Sequence, residues 1–82
     1  MEKIKEMEYM KQTKAQISFK PLLKLLVDNG MKTSELSKEA GIAPSTMTAI
    51  RAHQSVTLAT VAKICTVLDC PIESVVEIVR EE

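Results

Sequence analysis

Proline and glycine punctuation constrains this chain more than any other feature. Pro21 suits a first helical position, where its missing N–H costs nothing, and Gly30 suits a left-handed stop. Residues 20–30 therefore read as a helix. Leu22, Leu25 and Leu26 follow its 3.6-residue period, and Leu23 and Val27 widen the apolar face. Residues 32–40 read as a second, short helix that Gly41 ends. Leu36 and Ala40 face the core, and Thr33 or Ser34 is placed to cap its first N–H groups. Pro44 then opens a third helix over residues 44–53. Ile42 and Met47 stand at the spacing of a hydrophobic staple, and Met47 and Ile50 form the buried seam. The side chains between them, Ser45, Thr46, Thr48, Ala49, Arg51 and Ala52, are small or polar with a single cation.

The fourth helix, residues 57–68, has the strongest periodicity. Leu58, Val61, Ala62, Ile64, Cys65 and Leu68 trace its face, and Thr57 is its cap. Residues 71–80 are ambiguous. Pro71 suits a helical start, and Ile72, Val75, Val76 and Val79 fit a stripe, yet the run from Val75 to Val79 is rich in β-branched residues and suits a strand. Ile17-Ser18-Phe19 also has strand alternation. The expectation is a short fifth helix followed by an extended tail, with a β pairing between residues near 16–19 and 76–79.

The only aromatic residues are Tyr9 and Phe19, so the core must be aliphatic. The 82 residues fit one small domain, preceded by an arm over residues 1–16 in which Met1, Ile4, Met7 and Met10 recur every third position. This stripe suits either a frayed arm or a helix that docks on a partner. No apolar run approaches the roughly 20 residues that span a bilayer. Met-Glu-Lys-Ile-Lys-Glu has no signal-peptide character, so a reducing cytoplasm is the expected address.

Catalysis is not expected. One histidine has no neighbouring acid and nucleophile to orient it, and two glycines cannot build a phosphate loop. Cys65 and Cys70 form neither a CxxC motif nor a sufficient ligand set for a metal, and Cys65 reads as core packing. No cofactor or small-molecule ligand is implied. Eleven basic and eleven acidic residues balance, but unevenly along the chain. Residues 1–32 carry seven lysines against four acids, whereas residues 33–82 carry four basic residues against seven acids, most of them after residue 68. A basic face and an acidic back are compatible with that asymmetry.

Two short helices joined by a tight turn at Gly41 allow the second to stand out from the body and enter a DNA major groove. On spacing alone, the same segment also suits a helical hairpin in any small bundle. Lys20, Lys24, Lys32 and Lys38 read as solvated charge or as an electrostatic footprint for phosphates. Arg51 reads as a phosphate clamp or as the partner of Glu35 or Glu39. His53 reads as a solvent-exposed loop residue or as a phosphate contact.

A more specific likeness runs from Phe19 to Val79. It is carried by Lys20-Pro21-Leu22-Leu23-Lys24-Leu25-Leu26, Gly30-Met31, Glu35-Leu36, Glu39-Ala40-Gly41-Ile42, Thr46-Met47, Ile50, the segment from Leu58 to Cys65, and Leu68-Asp69-Cys70. In these residues the chain resembles the phage-repressor (Cro/cI-type, XRE-type) helix-turn-helix family. The resemblance implies an all-α, five-helix lambda-repressor-like domain over residues 17–82. It further implies a dimeric transcriptional regulator, repressor-like, that binds double-stranded DNA through its third helix. Pro44, Ser45, Thr46, Thr48 and Ala49 then face the bases, with Lys32, Thr33, Lys38, Arg51 and His53 at phosphates. Thr33 stands where the family often has a phosphate-bonding glutamine.

The departures are Ser37 for alanine under the turn, Ala43 for the usual serine cap, and His53-Gln54 where the following loop usually has glycine. The base-facing set lacks the long side chains that make bidentate base contacts. A protein-binding helix-turn-helix module, antirepressor- or antitoxin-like, is the alternative.

Overall fold

The computed structural model describes residues 15–80. The methionine stripe expected at residues 1–10 lies outside them. The chain runs through strand β1 (Ala15–Ser18), helices α1 (Lys20–Asp28), α2 (Thr33–Ala40), α3 (Pro44–Arg51) and α4 (Leu58–Leu68), a 3₁₀ turn (Ile72–Ser74) and strand β2 (Glu77–Arg80). The described residues thus form four α-helices and a two-stranded sheet, where the sequence suggested five helices.

A single 3₁₀ turn and a strand stand where the fifth helix was expected. After Pro71, the chain makes a single 3₁₀ turn, with Ser74 N–H bonded to the Pro71 carbonyl at 3.0 Å and Val75 N–H to that of Ile72 at 2.9 Å. Val75 then drops fully into the core, and its carbonyl accepts the Leu22 N–H at 3.2 Å. That bond satisfies one of the amides left free at the start of α1. Beyond it the β-branched residues pair antiparallel with β1. Ala15 lies opposite Arg80, Gln16 opposite Val79, Ile17 opposite Ile78 and Ser18 opposite Glu77. The expected pairing is therefore present, shifted about one residue outward.

The four described α-helices end in the same way. Two or three residues past each end, a backbone N–H reaches back five residues: Met31 to Leu26, Ile42 to Ser37, Gln54 to Ala49 and Cys70 to Cys65, at 2.8–3.0 Å. The intervening residue is left-handed in all four cases, namely Gly30, Gly41, His53 and Asp69, with φ between 50° and 65°. This is the Schellman arrangement, which satisfies orphan carbonyls. Only two of the four positions are the glycines that made the stops visible in the sequence.

The core comprises Phe19, Leu22, Leu26, Leu36, Ile42, Met47, Ile50, Val61, Ile64 and Val75. Among the described residues it is aliphatic, as expected, with Phe19 as its one aromatic. Some assigned core positions are corrected. Leu58 is 76% exposed, because it is the first residue of α4, a turn before the helix meets the core at Val61. Ala62 and Val27 are also exposed. Leu68 packs on the margin of the core rather than within it.

Candidate nucleic-acid interface

The orientation of α3 is set at the turn that precedes it. Ser37, in the last turn of α2, donates its hydroxyl to the Ile42 carbonyl at 2.6 Å and accepts the Ile42 N–H on its own carbonyl at 2.9 Å. The serine that replaces alanine is therefore accommodated by bonding the turn rather than a carbonyl within its helix. Ile42 and Met47, the expected staple residues, are both buried. Neither Thr33 nor Ser34 caps α2. The cap position is Lys32, whose N–H is held by the Glu35 carboxylate at 3.0 Å. Ala43 precedes α3 without a side-chain cap, as its methyl dictates, and Pro44 occupies the first turn.

With Met47 and Ile50 buried, helical geometry turns Ser45, Thr48, Ala49 and Ala52 to the opposite side. Ser45, Thr48 and Ala52 are exposed, and Ala49 is half-buried. Pro44 and Arg51 lie on the flank toward α2. Together with Thr33, Ser34, Ser37, Met47 and Thr48 they line an open depression of about 340 Å³. On the other flank, Ser45, Thr46 and Ala49 meet Ser55, Val56, Thr57 and Thr60 around a depression of about 230 Å³. The α3 face is thus a low ridge of methyls and hydroxyls between two polar hollows. Thr48 donates its hydroxyl to the Pro44 carbonyl at 3.1 Å, so it offers solvent a methyl and oxygen lone pairs rather than a free proton. Thr57 accepts the Thr60 N–H at 3.2 Å, as a cap of α4, and their hydroxyls lie 3.1 Å apart.

Among the residues assigned to phosphates, Thr33 and Arg51 come together beside α3. Lys32 is exposed immediately before α2. Lys38 is exposed too, but it lines neither hollow. His53 departs from a free loop residue. It is half-buried, and its Nδ1 accepts the Phe19 N–H at 3.0 Å, across 34 residues of sequence. A neutral ring that accepts at Nδ1 carries its proton on Nε2. Ser34, Ala52, Ser55, Thr57 and Thr60 were not singled out for this surface. Ala52 was within reach of sequence reasoning, one helical turn beyond Thr48. Thr57 and Thr60 belong there only because the loop folds back beside α3.

Among the described residues no group of three or more His, Cys, Asp or Glu is placed to hold a metal, and no helix is long and apolar enough to cross a membrane.

Residues 20–81 match the model of the Cro/C1-type HTH DNA-binding domain. The chain is also similar to the crystal structure of transcriptional regulator VanUg, Form II. That comparison gives 31% identity and a TM-score of 0.80 over 85% of this chain and 92% of that one. No curated protein matches the sequence.

Proposed function

The chain belongs to the Cro/C1-type helix-turn-helix DNA-binding family, and on that premise we propose that it is a cytoplasmic, repressor-like transcriptional regulator that reads duplex DNA as a homodimer. The observation that carries this reading is the outward α3 face. A rigid turn supports it, and its side chains are short enough to let the helix backbone come close to base edges. Ser45, Thr48 and Ala49 meet the bases, flanked by Pro44 and Thr46. Thr33 and Arg51 grip one phosphate run from the α2 side, with Lys32 beside them. Lys38 and the Nε2–H of His53 supply outer contacts.

Such a face reads by methyl contact to thymine, by hydroxyl bonding and by DNA shape, since no glutamine, asparagine or arginine projects from its centre. Phosphate contacts then supply much of the affinity. A single domain of this size has a small footprint, so two copies on a two-fold site are needed for useful affinity. Apolar side chains left exposed at Ile72, Ile78 and Val79, outside α3, suit the dimer contact. The role is binding rather than catalysis.

Selection from a pool of randomised duplexes tests the proposal. A two-fold symmetric site, with half-sites about 34 Å apart, is expected. Enrichment of an asymmetric single site would remove the dimer. No enrichment at all would favour the protein-binding alternative.

A further inference from the structure

We propose that Cys65 and Cys70 are a paired oxidation site that closes an intrachain disulfide across the C-terminal end of α4. Three observations place them together. The Schellman turn that ends α4 bonds the Cys70 N–H to the Cys65 carbonyl at 3.0 Å, and left-handed Asp69 folds the chain back between them. In such a turn the two side chains so linked stand against each other. Both thiols are free and only partly buried, at the margin of the core. Two cysteines brought side by side by a backbone bond and open on one side to solvent need only side-chain rotation to pair.

Burial, first, and then the adjacent Cys65 hold the Cys70 thiol above the usual range, so at neutral pH it keeps its proton. A thiol that holds its proton more tightly is the poorer nucleophile, so Cys70 is assigned as the resolving sulfur and Cys65 as the attacking one. With a hydroperoxide as oxidant, the Cys65 thiolate attacks one peroxide oxygen, the O–O bond breaks, and hydroxide leaves. Cys65 becomes a sulfenic acid, and the hydroxide takes the proton lost from the thiol to give water. The Cys70 sulfur then attacks the Cys65 sulfur. The S–O bond breaks, and the departing hydroxide takes the Cys70 proton as a second water. Two thiols and one peroxide thus give one disulfide and two waters.

The test treats the purified full-length chain with hydrogen peroxide, then quenches free thiols with an alkylating agent. Expected are an intact mass lower by two hydrogens, no alkylation, a peptide linking Cys65 to Cys70, and one chain per band on a non-reducing gel. In Cys70→Ser, a sulfenic-acid trap should label Cys65 at least tenfold more than it labels Cys70 in Cys65→Ser. Alkylation of both thiols after excess peroxide, or disulfides only between chains, would overturn the proposal. Equal labelling of the two single variants would overturn the assignment of attacker and resolver.

Discussion

Ser37 and Ile42 exchange two hydrogen bonds across the turn between α2 and α3, one through the serine hydroxyl at 2.6 Å and one through its carbonyl at 2.9 Å. Because Ile42 is buried, water does not replace the hydroxyl easily. Ser37→Ala, although it restores the residue usual in this family, should therefore destabilise the domain by about 1 kcal/mol, the ordinary net worth of such a bond. Urea unfolding at constant m-value measures it. A neutral or stabilising result would mean that the turn is held by the backbone alone.

His53 joins two roles, as the left-handed residue that ends α3 and as the acceptor for the Phe19 amide. Glycine would suit the first role and leave the second unmet. His53→Gly and His53→Ala should both lose about 1–3 kcal/mol, through the unsatisfied N–H. His53→Asn should lose clearly less, because asparagine tolerates positive φ and carries an acceptor at a similar distance from the backbone. Equal losses in all three variants would show that the Phe19 bond contributes nothing.

Two residues of α4 separate the core from its overhang. Ile64 is fully buried, whereas Leu58 is largely exposed. Ile64→Ala should cost about 2–5 kcal/mol as a cavity, and Leu58→Ala less than about 0.5 kcal/mol. Comparable losses in denaturant unfolding would place the start of α4 in the core after all.

Cys70 gives a pH dependence with a defined sign. Its thiol titrates above the ordinary range in the folded chain, so folding favours the protonated form. That contribution is complete below the unfolded thiol's range and disappears as pH rises through the folded value. Under reductant, stability should fall on the alkaline side of the thiol range more steeply in the parent than in Cys70→Ser. Parallel curves would contradict it.

The dimer proposal is tested at Ile78, which is 67% exposed and lies on β2 opposite Ile17. Ile78→Asp, or removal of residues 1–14, should weaken self-association in sedimentation and lower DNA affinity in parallel. Val76 is unsuitable for this test because it packs against the core. A monomeric parent at tens of micromolar concentration, with DNA affinity unchanged by the edits, would exclude the dimer.

Much of this architecture was legible because local chemistry announced it. Pro21, Gly30, Gly41, Pro44 and Thr57 mark helix ends by backbone preference, and Met47, Ile50, Val61 and Ile64 mark core faces by period. What escaped depended on distance in the sequence. The fifth helix gave way to a strand because β1, some 60 residues away, offered Glu77–Arg80 a partner. His53 looked like a loose loop residue because its ligand is the Phe19 amide, and a stop at His53 or Asp69 lacks the glycine that usually advertises it. Leu58 fitted the stripe on α4, but periodicity does not say where the body beneath a helix begins. On the candidate interface, the spacing identified the α3 face, whereas the hollows on either side needed the packing of α2 and the loop before α4.

The central claim is that α3 presents Ser45, Thr48 and Ala49 to DNA. Fluorescence titration of a labelled duplex at two salt concentrations, for the parent chain and for Ala49→Glu, tests it most directly. The account predicts parent binding that weakens steeply with salt as phosphate counterions are released. It also predicts at least tenfold weaker binding by Ala49→Glu at unchanged helicity, since a carboxylate on the ridge meets the negative groove. No parent binding at either salt, or full affinity in the glutamate variant, would contradict it.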